Sequence, residues 1–337
     1  MAIDWYWWHN NPYDTDYPDF WPPREGVEPF RDAVARLKSQ GIYSQVYING
    51  VCWDMDGKTW KDGGEEGVFV QRDGEPRNTA FNKYNHHRLA YMCGEAPKFQ
   101  DRISSVVGHL RESGLNGQYL DMIGNSTMAG RCYSPRHRHP KGGGSFGPDG
   151  YRALLQRLKR ENPDFPLTTE GANEAYMDLM DGSICCNSTS LERLDAIPLF
   201  QSIYHGNYAF FGNYAYPDGT RPWDPLWPPE DRWKEEKPWH RLYPDQFYLE
   251  LGRTVAWGVQ PMVCNIKDSL FTDPELDAAR RFMLDTARFY HANRAFLFDG
   301  QMLSPAGFAC PSEPVDFLIR SIFTKEHECK PRHAEQP

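Results

Sequence analysis

The chain predicts an α/β fold, a (β/α)8 TIM barrel with a partial β-rich C-terminal appendage, and three observations lead there. Short apolar runs alternate with amphipathic segments along most of the sequence. The runs number eight, at residues 3–8, 42–49, 88–92, 117–121, 166–170, 183–186, 197–204 and 260–265. No Gly-x-Gly-x-x-Gly turn follows an early strand, as the open, doubly wound alternative would want. The 337 residues exceed the ~250 of a typical barrel, which leaves room for the appendage.

The elements follow in order. After the first run, a Pro- and Asp-rich loop through Trp21-Pro22-Pro23 leads to a helix over 27–40, whose apolar residues Val27, Phe30, Val34 and Leu37 form one face. Gly41 ends that helix as a left-handed cap residue would. Ile42 to Asn49 is rich in β-formers, and a polar excursion over 50–85 separates it from the short third run. Ile103, Val106, Val107 and Leu110 line a helix that stops at Gly114. Tyr151, Leu154, Leu155 and Leu158 line the next. Further helices are expected over 247–257 and 274–297. Residues 1–300 are thus expected to form the barrel and 301–337 the start of a β-rich appendage with a polar, frayed tail.

Composition narrows the ligand. A net charge of −9 argues against nucleic acid, which needs a basic surface. No run approaches ~18 apolar residues, so no membrane span is expected, and the opening MAIDWYWWHN lacks the pattern of a signal peptide, which points to a cytoplasmic protein. The eight cysteines form no Cys-x-x-Cys pair and read as free thiols. Aromatic residues make up 14% of the chain, and aromatic faces pack well on the C–H faces of sugar rings. The expected partner is an oligosaccharide or glycoside, with no cofactor.

Polar residues at the C-terminal ends of barrel strands are the candidate chemistry. Asp121 ends the fourth run and Glu170 the fifth. Neighbouring strands lie ~4.8 Å apart, close to the ~5–5.5 Å between the two carboxyl groups of a retaining glycosidase. Asp121, short and directly at its strand end, is expected to be the nucleophile. Glu170, longer and followed by Gly171, is expected to be the acid/base, with Glu174 its rival or a substrate contact. Asp4, His9, Asn49, His205 and Asn265 are expected to meet substrate hydroxyls, and Trp8, Trp53 and one or two of Trp223, Trp227, Trp233 and Trp239 to stack on sugars. His86-His87 and His137-x-His139 suggest a metal on sight, but neither has a third ligand at a recognised spacing, so no metal site is expected. A carbohydrate-binding barrel without catalysis and a metal-dependent hydrolase are the competing readings.

These residues also carry a family resemblance. GLNGQYLDMIG resembles the fourth-strand segment of α-amylase-like and α-galactosidase-like barrels, where Gly-x-Tyr-x-Asp delivers the nucleophile. TTEGANE resembles the fifth-strand acid/base segment of the amylase-like and endo-α-N-acetylgalactosaminidase-like retaining glycosidases. IDWYWWH, Trp53-Asp54 and Gly258-Val259-Gln260-Pro261-Met262 are similar to a glycoside-hydrolase-like barrel family, and the likeness spans roughly residues 3 to 300. It implies a retaining hydrolase acting on an α-linked glycoside. Two departures stand out. The sixth run offers only Asn187 where α-galactosidase-like enzymes place their acid/base Asp, and Tyr119 stands where amylases carry Arg.

Overall fold

The computed structural model describes all residues except 13, 81–85, 127–129, 186–197, 213–214, 216, 218–238, 265, 304–306, 308–310, 320–329 and 337. The chain folds into two compact units, the first comprising Met1–Asp181 and the second built from the described residues from Gly182 onward.

The first unit is an α/β layer structure. Strand β1 (Ala2–Trp5) precedes helix α1 (Val27–Ser39), which buries Phe30 and Val34 as its apolar spacing requires. Strand β2 (Tyr43–Asn49) pairs in parallel with β1. The polar excursion then builds a small antiparallel sheet from β3 (Cys52–Asp54), β4 (Asn78–Thr79) and β5 (Leu89–Tyr91), with a one-turn helix α2 (Gly64–Gly67) between them. Here the expected third barrel strand is corrected. Leu89–Tyr91 pairs antiparallel with both β3 and β4, so it belongs to the insertion. The physical reason is local: no amphipathic helix lies between residues 50 and 88, among those described, to carry a parallel crossover.

Helix α3 (Pro97–Glu112), with Pro at its first position, buries Phe99, Ile103, Val106, Val107 and Leu110. It delivers β6 (Gln118–Asp121), which pairs in parallel directly with β2. A single turn α4 (Ile123–Ser126) and the long α5 (Phe146–Glu161) follow, and α5 leads to β7 (Leu167–Glu170), parallel to β6. The register Tyr47↔Tyr119↔Thr168 runs across three strands and brings their C-terminal ends level.

The second unit holds β8 (Gly182–Ile184) and β9 (Ala209–Phe211), again parallel, separated by α6 (Leu199–Tyr204). The run at 197–204, expected as the seventh strand, is therefore helical within its described part. Ala209–Phe211 takes the strand position. The expected eighth strand is reduced to a parallel bridge between Phe211 and Gln260. Further on come α7 (Trp239–Leu242), α8 (Gln246–Ala256), α9 (Ser269–Thr272), α10 (Asp277–Ala292) and α11 (Arg294–Leu297). Phe247 and Leu251 of α8 pack with Ala279 of α10 in one buried cluster. The chain closes on an antiparallel pair, β10 (Glu313–Ile319) and β11 (Lys330–Gln336). Residues Lys330–Gln336 of the tail expected to fray thus form a strand, because their backbone groups pair with β10. No helix among the described residues is long and apolar enough to cross a membrane.

Candidate active site

The site starts from strand pleat. Side chains two apart share a face, so Tyr47 and Asn49 of β2, Tyr119 and Asp121 of β6, and Thr168 and Glu170 of β7 point the same way. Asn49 is in register with Asp121, and Leu120 with Thr169, so Asp121 and Glu170 end neighbouring parallel strands. Three donors converge on the Asp121 carboxylate. The Tyr119 hydroxyl donates to Oδ1 at 3.2 Å, the Tyr47 hydroxyl to Oδ2 at 3.3 Å, and Asn49 Nδ2 to Oδ2 at 3.4 Å. Asn49 is itself fixed, since its Oδ1 accepts the Val51 and Cys52 amides at 3.0 and 2.8 Å.

Backbone contacts hold both strand ends. The Gly50 amide donates to the Asp121 carbonyl at 3.0 Å. Thr169 Oγ1 donates to the Leu120 carbonyl at 2.7 Å and accepts from the Gly124 amide at 3.0 Å. Gly124 packs against the Glu170 and Gly171 carbonyls so closely that any Cβ would overlap them. Gly171 turns the chain away from Glu170 with φ of +72°, in the region that favours glycine.

Electrostatics follow from burial. Loss of solvent, then the nearby Glu170 charge, push the Asp121 pKa well above the usual carboxylate range, while the hydroxyls of Tyr119 and Tyr47 pull it back. Protonation of Asp121 thus relieves both its burial and its repulsion with Glu170. Beneath the two carboxyls runs a hydroxyl chain. Tyr47 Oη lies 3.2 Å from Tyr17 Oη, and Tyr17 donates to Asp14 Oδ1 at 3.0 Å. The Asp121–Tyr47–Tyr17–Asp14 chain thus links two carboxyl groups through two phenolic protons. Burial pushes both phenols well above their ordinary range, which keeps those protons in place.

Tyr47 and Tyr119 were not among the expected site residues. Each lies two positions before one that was (Asn49 and Asp121), and alternation along the strand is the signal that finds them.

The remaining expected residues separate. Asp4 is in register with Gln45, four residues short of Asn49, and so lies about 13 Å below the strand ends; its carboxylate is hydrogen-bonded by Gln45. Trp8 and Trp53 are 1% and 0% exposed, with their indole N–H groups donating to the Tyr47 carbonyl and Thr59 Oγ1. Their faces meet protein, so burial gives them a packing role in place of the stacking one. His9 is buried against Phe20, and burial and the Arg24 charge push its pKa down to about 3, which keeps the imidazole neutral. Glu174 is exposed in a turn, with no helix starting there. His205, in the second unit, has its ring nitrogens on the carbonyls of Gly300 and, at 2.8 Å, Leu297. Asn265, Trp223, Trp227 and Trp233 lie outside the described residues, as does the side chain of Trp239.

The two histidine pairs also divide. His87 Nδ1 sits 2.6 Å from the buried Asp54 carboxylate. The His137-Arg138-His139 loop, where no metal site was expected, turns its histidines inward. His139 is 7% exposed, and His137 and His139 meet Cys93 with ligand atoms within 4.8 Å of one another.

The chain is similar to several known proteins. A family model described as a domain of unknown function, DUF6259, matches residues 1–216. A Bacteroides thetaiotaomicron protein named "Putative glycoside hydrolase" is 25% identical over 331 residues, covering 96% of this chain and 45% of its own length. A Monosiga brevicollis protein named "Putative glycoside hydrolase 22789" is 26% identical over 255 residues, 67% of this chain and 20% of its own length. The chain thus spans less than half the length of either relative. Among solved structures, the α-galactosidase from Thermus thermophilus in complex with stachyose superimposes with a TM-score of 0.54 at 14% identity, over 84% of this chain and 57% of that one. That likeness is one of fold, an α/β architecture with a curled parallel sheet.

Proposed function

The chain belongs to the DUF6259 family, and we propose that it hydrolyses an α-linked glycoside with retention, Asp121 serving as nucleophile and Glu170 as acid/base. The observation that carries this reading is the pairing of the strand ends. Two carboxylates on neighbouring parallel strands, ~4.8 Å apart at the backbone, suit the ~5–5.5 Å of a double displacement better than the ~6.5–9.5 Å of an inverting pair. In the first step the Asp121 carboxylate attacks the anomeric carbon while Glu170 gives its proton to the leaving oxygen. In the second, Glu170 takes a proton from water, which displaces Asp121. The hydroxyls of Tyr47 and Tyr119 and the Asn49 amide hold Asp121 as the carboxylate once the proton rests on Glu170.

The same reading makes residues 1–300 a (β/α)8-type barrel domain, though with fewer than eight described parallel strands, followed by a β-rich appendage at 301–337. It takes an oligosaccharide or glycoside as substrate, without a cofactor. A panel of aryl α- and β-glycosides tests it. Asp121→Asn is expected to lower kcat/KM by on the order of 10⁴-fold. Glu170→Gln should lower it by roughly 10²–10⁴-fold, least for the best leaving groups. Unchanged turnover in Asp121→Asn would remove the nucleophile assignment. Sugar binding without cleavage of any glycoside would make the domain a carbohydrate-binding one.

A further inference from the structure

We propose that Cys93, Cys132, His137 and His139 form a structural Zn²⁺ site that fastens the 130–144 loop to the segment after β5.

The backbone brings these residues together first. Cys93 closely follows β5, with its amide on the Gly67 carbonyl at 2.9 Å. The loop is strapped to the same neighbourhood by Tyr133 N to the Val70 carbonyl at 2.8 Å, and is closed on itself by Gly142 N to the Cys132 carbonyl at 2.7 Å. The Val70 amide points at Cys132 Sγ from 3.4 Å, a donor suited to a thiolate. Cys93, His137 and His139 have ligand atoms within 4.8 Å of one another; Cys132 Sγ lies outside that set but 3.4 Å from His137 Nδ1, within a side-chain shift of a fourth position.

The imidazoles then define what must lie between them. His137 Nε2 sits 3.2 Å from the Glu66 carbonyl, and His139 Nδ1 sits 3.0 Å from the Pro140 carbonyl. A carbonyl only accepts, so those two nitrogens carry the protons. With both rings neutral, the remaining nitrogens, His137 Nδ1 and His139 Nε2, direct lone pairs towards each other across 3.3 Å. A cation between them resolves that opposition. With carbonyls on the outer N–H groups, the rings have the orienting partners that metal-bound histidines ordinarily have.

Distance and chemistry select the metal. Tetrahedral Zn²⁺ with Zn–N of about 2.0 Å and Zn–S of about 2.3 Å has ligand–ligand edges of roughly 3.3–3.8 Å. The His–His and Cys–His separations, 3.3 and 3.4 Å, fall within that range. Two thiolates and two imidazoles without a carboxylate favour Zn²⁺ over Ca²⁺ or Mg²⁺. Cys93, Cys132 and His139 are 1%, 0% and 7% exposed and His137 is half-buried, so three of the four ligands lie out of solvent, as in structural zinc sites. The His139 ring stacks on Phe146 at 4.1 Å, and Phe146, Gly130 and Gly144 line a cavity of about 110 Å³ with Tyr91 and Tyr151. Fixing the loop fixes that wall.

The test is independent of glycoside turnover. The full chain, expressed with added Zn²⁺ and freed of loose metal, should hold about one zinc by elemental analysis. Replacement with Co²⁺ should give thiolate-to-cobalt charge transfer in the near ultraviolet and the strong visible bands of tetrahedral Co²⁺. Cys93→Ser and His139→Gln should each lose the metal, whereas His291→Gln, an exposed histidine, should keep it. A folded chain with no zinc and no cobalt–thiolate band overturns the proposal, as does zinc retained by a Cys93→Ser, His139→Gln double variant. If those variants do not fold, the cobalt spectrum of the unaltered chain decides alone.

Discussion

Asp121 sits under opposing demands. Burial and the Glu170 charge favour its protonated form, while the hydroxyls of Tyr119 and Tyr47 favour the carboxylate that the proposed chemistry uses. Because its folded pKa is raised, the fold keeps its full stability below the unfolded carboxyl value of about 4 and loses part of it as pH rises through the raised value. Asparagine mimics the protonated acid at every pH. Asp121→Asn should therefore raise Tm over the unaltered chain, with a clearly larger gain at pH 8 than at pH 4. A gain that is the same at both, or larger in acid, would contradict the electrostatic account. At this scale the acids were legible, since each ends an apolar strand run. The tryptophans were not. Trp8 and Trp53 look alike in sequence whether a ring faces ligand or core, and only packing decides it. The metal cluster was hidden for a related reason: Cys93 lies far from Cys132 in sequence, and only the closing of the loop brings them together.

At the scale of elements, the strand ends work because the turns after them approach closely. Gly171 directly follows Glu170 at φ of +72°, and a Cβ there would overlap Asn125 Oδ1. Gly171→Ala should cost about 1–3 kcal/mol of stability, read as a lower denaturation midpoint in urea, and should displace Glu170 enough to lower kcat more than it changes KM. An alanine variant as stable as the parent would show that the turn relaxes freely. The amphipathic helices α1, α3 and α5 were legible from their apolar spacing, because long periodic runs state their own geometry. The short runs were ambiguous. Leu89–Tyr91 has strand propensity but no crossover helix before it, so its partner is antiparallel. Leu199–Tyr204 carries aromatic and β-branched residues yet forms a helix, which shows tertiary context overriding a six-residue preference.

Across the whole molecule, each unit repeats the same theme of short parallel strands linked by helices. The fold class was legible because alternation of strand and helix patterns is a global signal that survives errors in single elements. The mistaken third run changed the strand count without separating Asp121 from Glu170, since β2, β6 and β7 remain adjacent. That adjacency is the central claim, and azide rescue reads it most directly. On an activated aryl α-glycoside that the enzyme cleaves, Asp121→Gly with azide should give the β-glycosyl azide, because azide takes the place of the missing nucleophile. Glu170→Gly should give the α-glycosyl azide, because azide then attacks the intact Asp121 intermediate. Nuclear magnetic resonance assigns the anomer. The α-azide from the Asp121 variant, or full turnover in that variant without azide, would contradict the account.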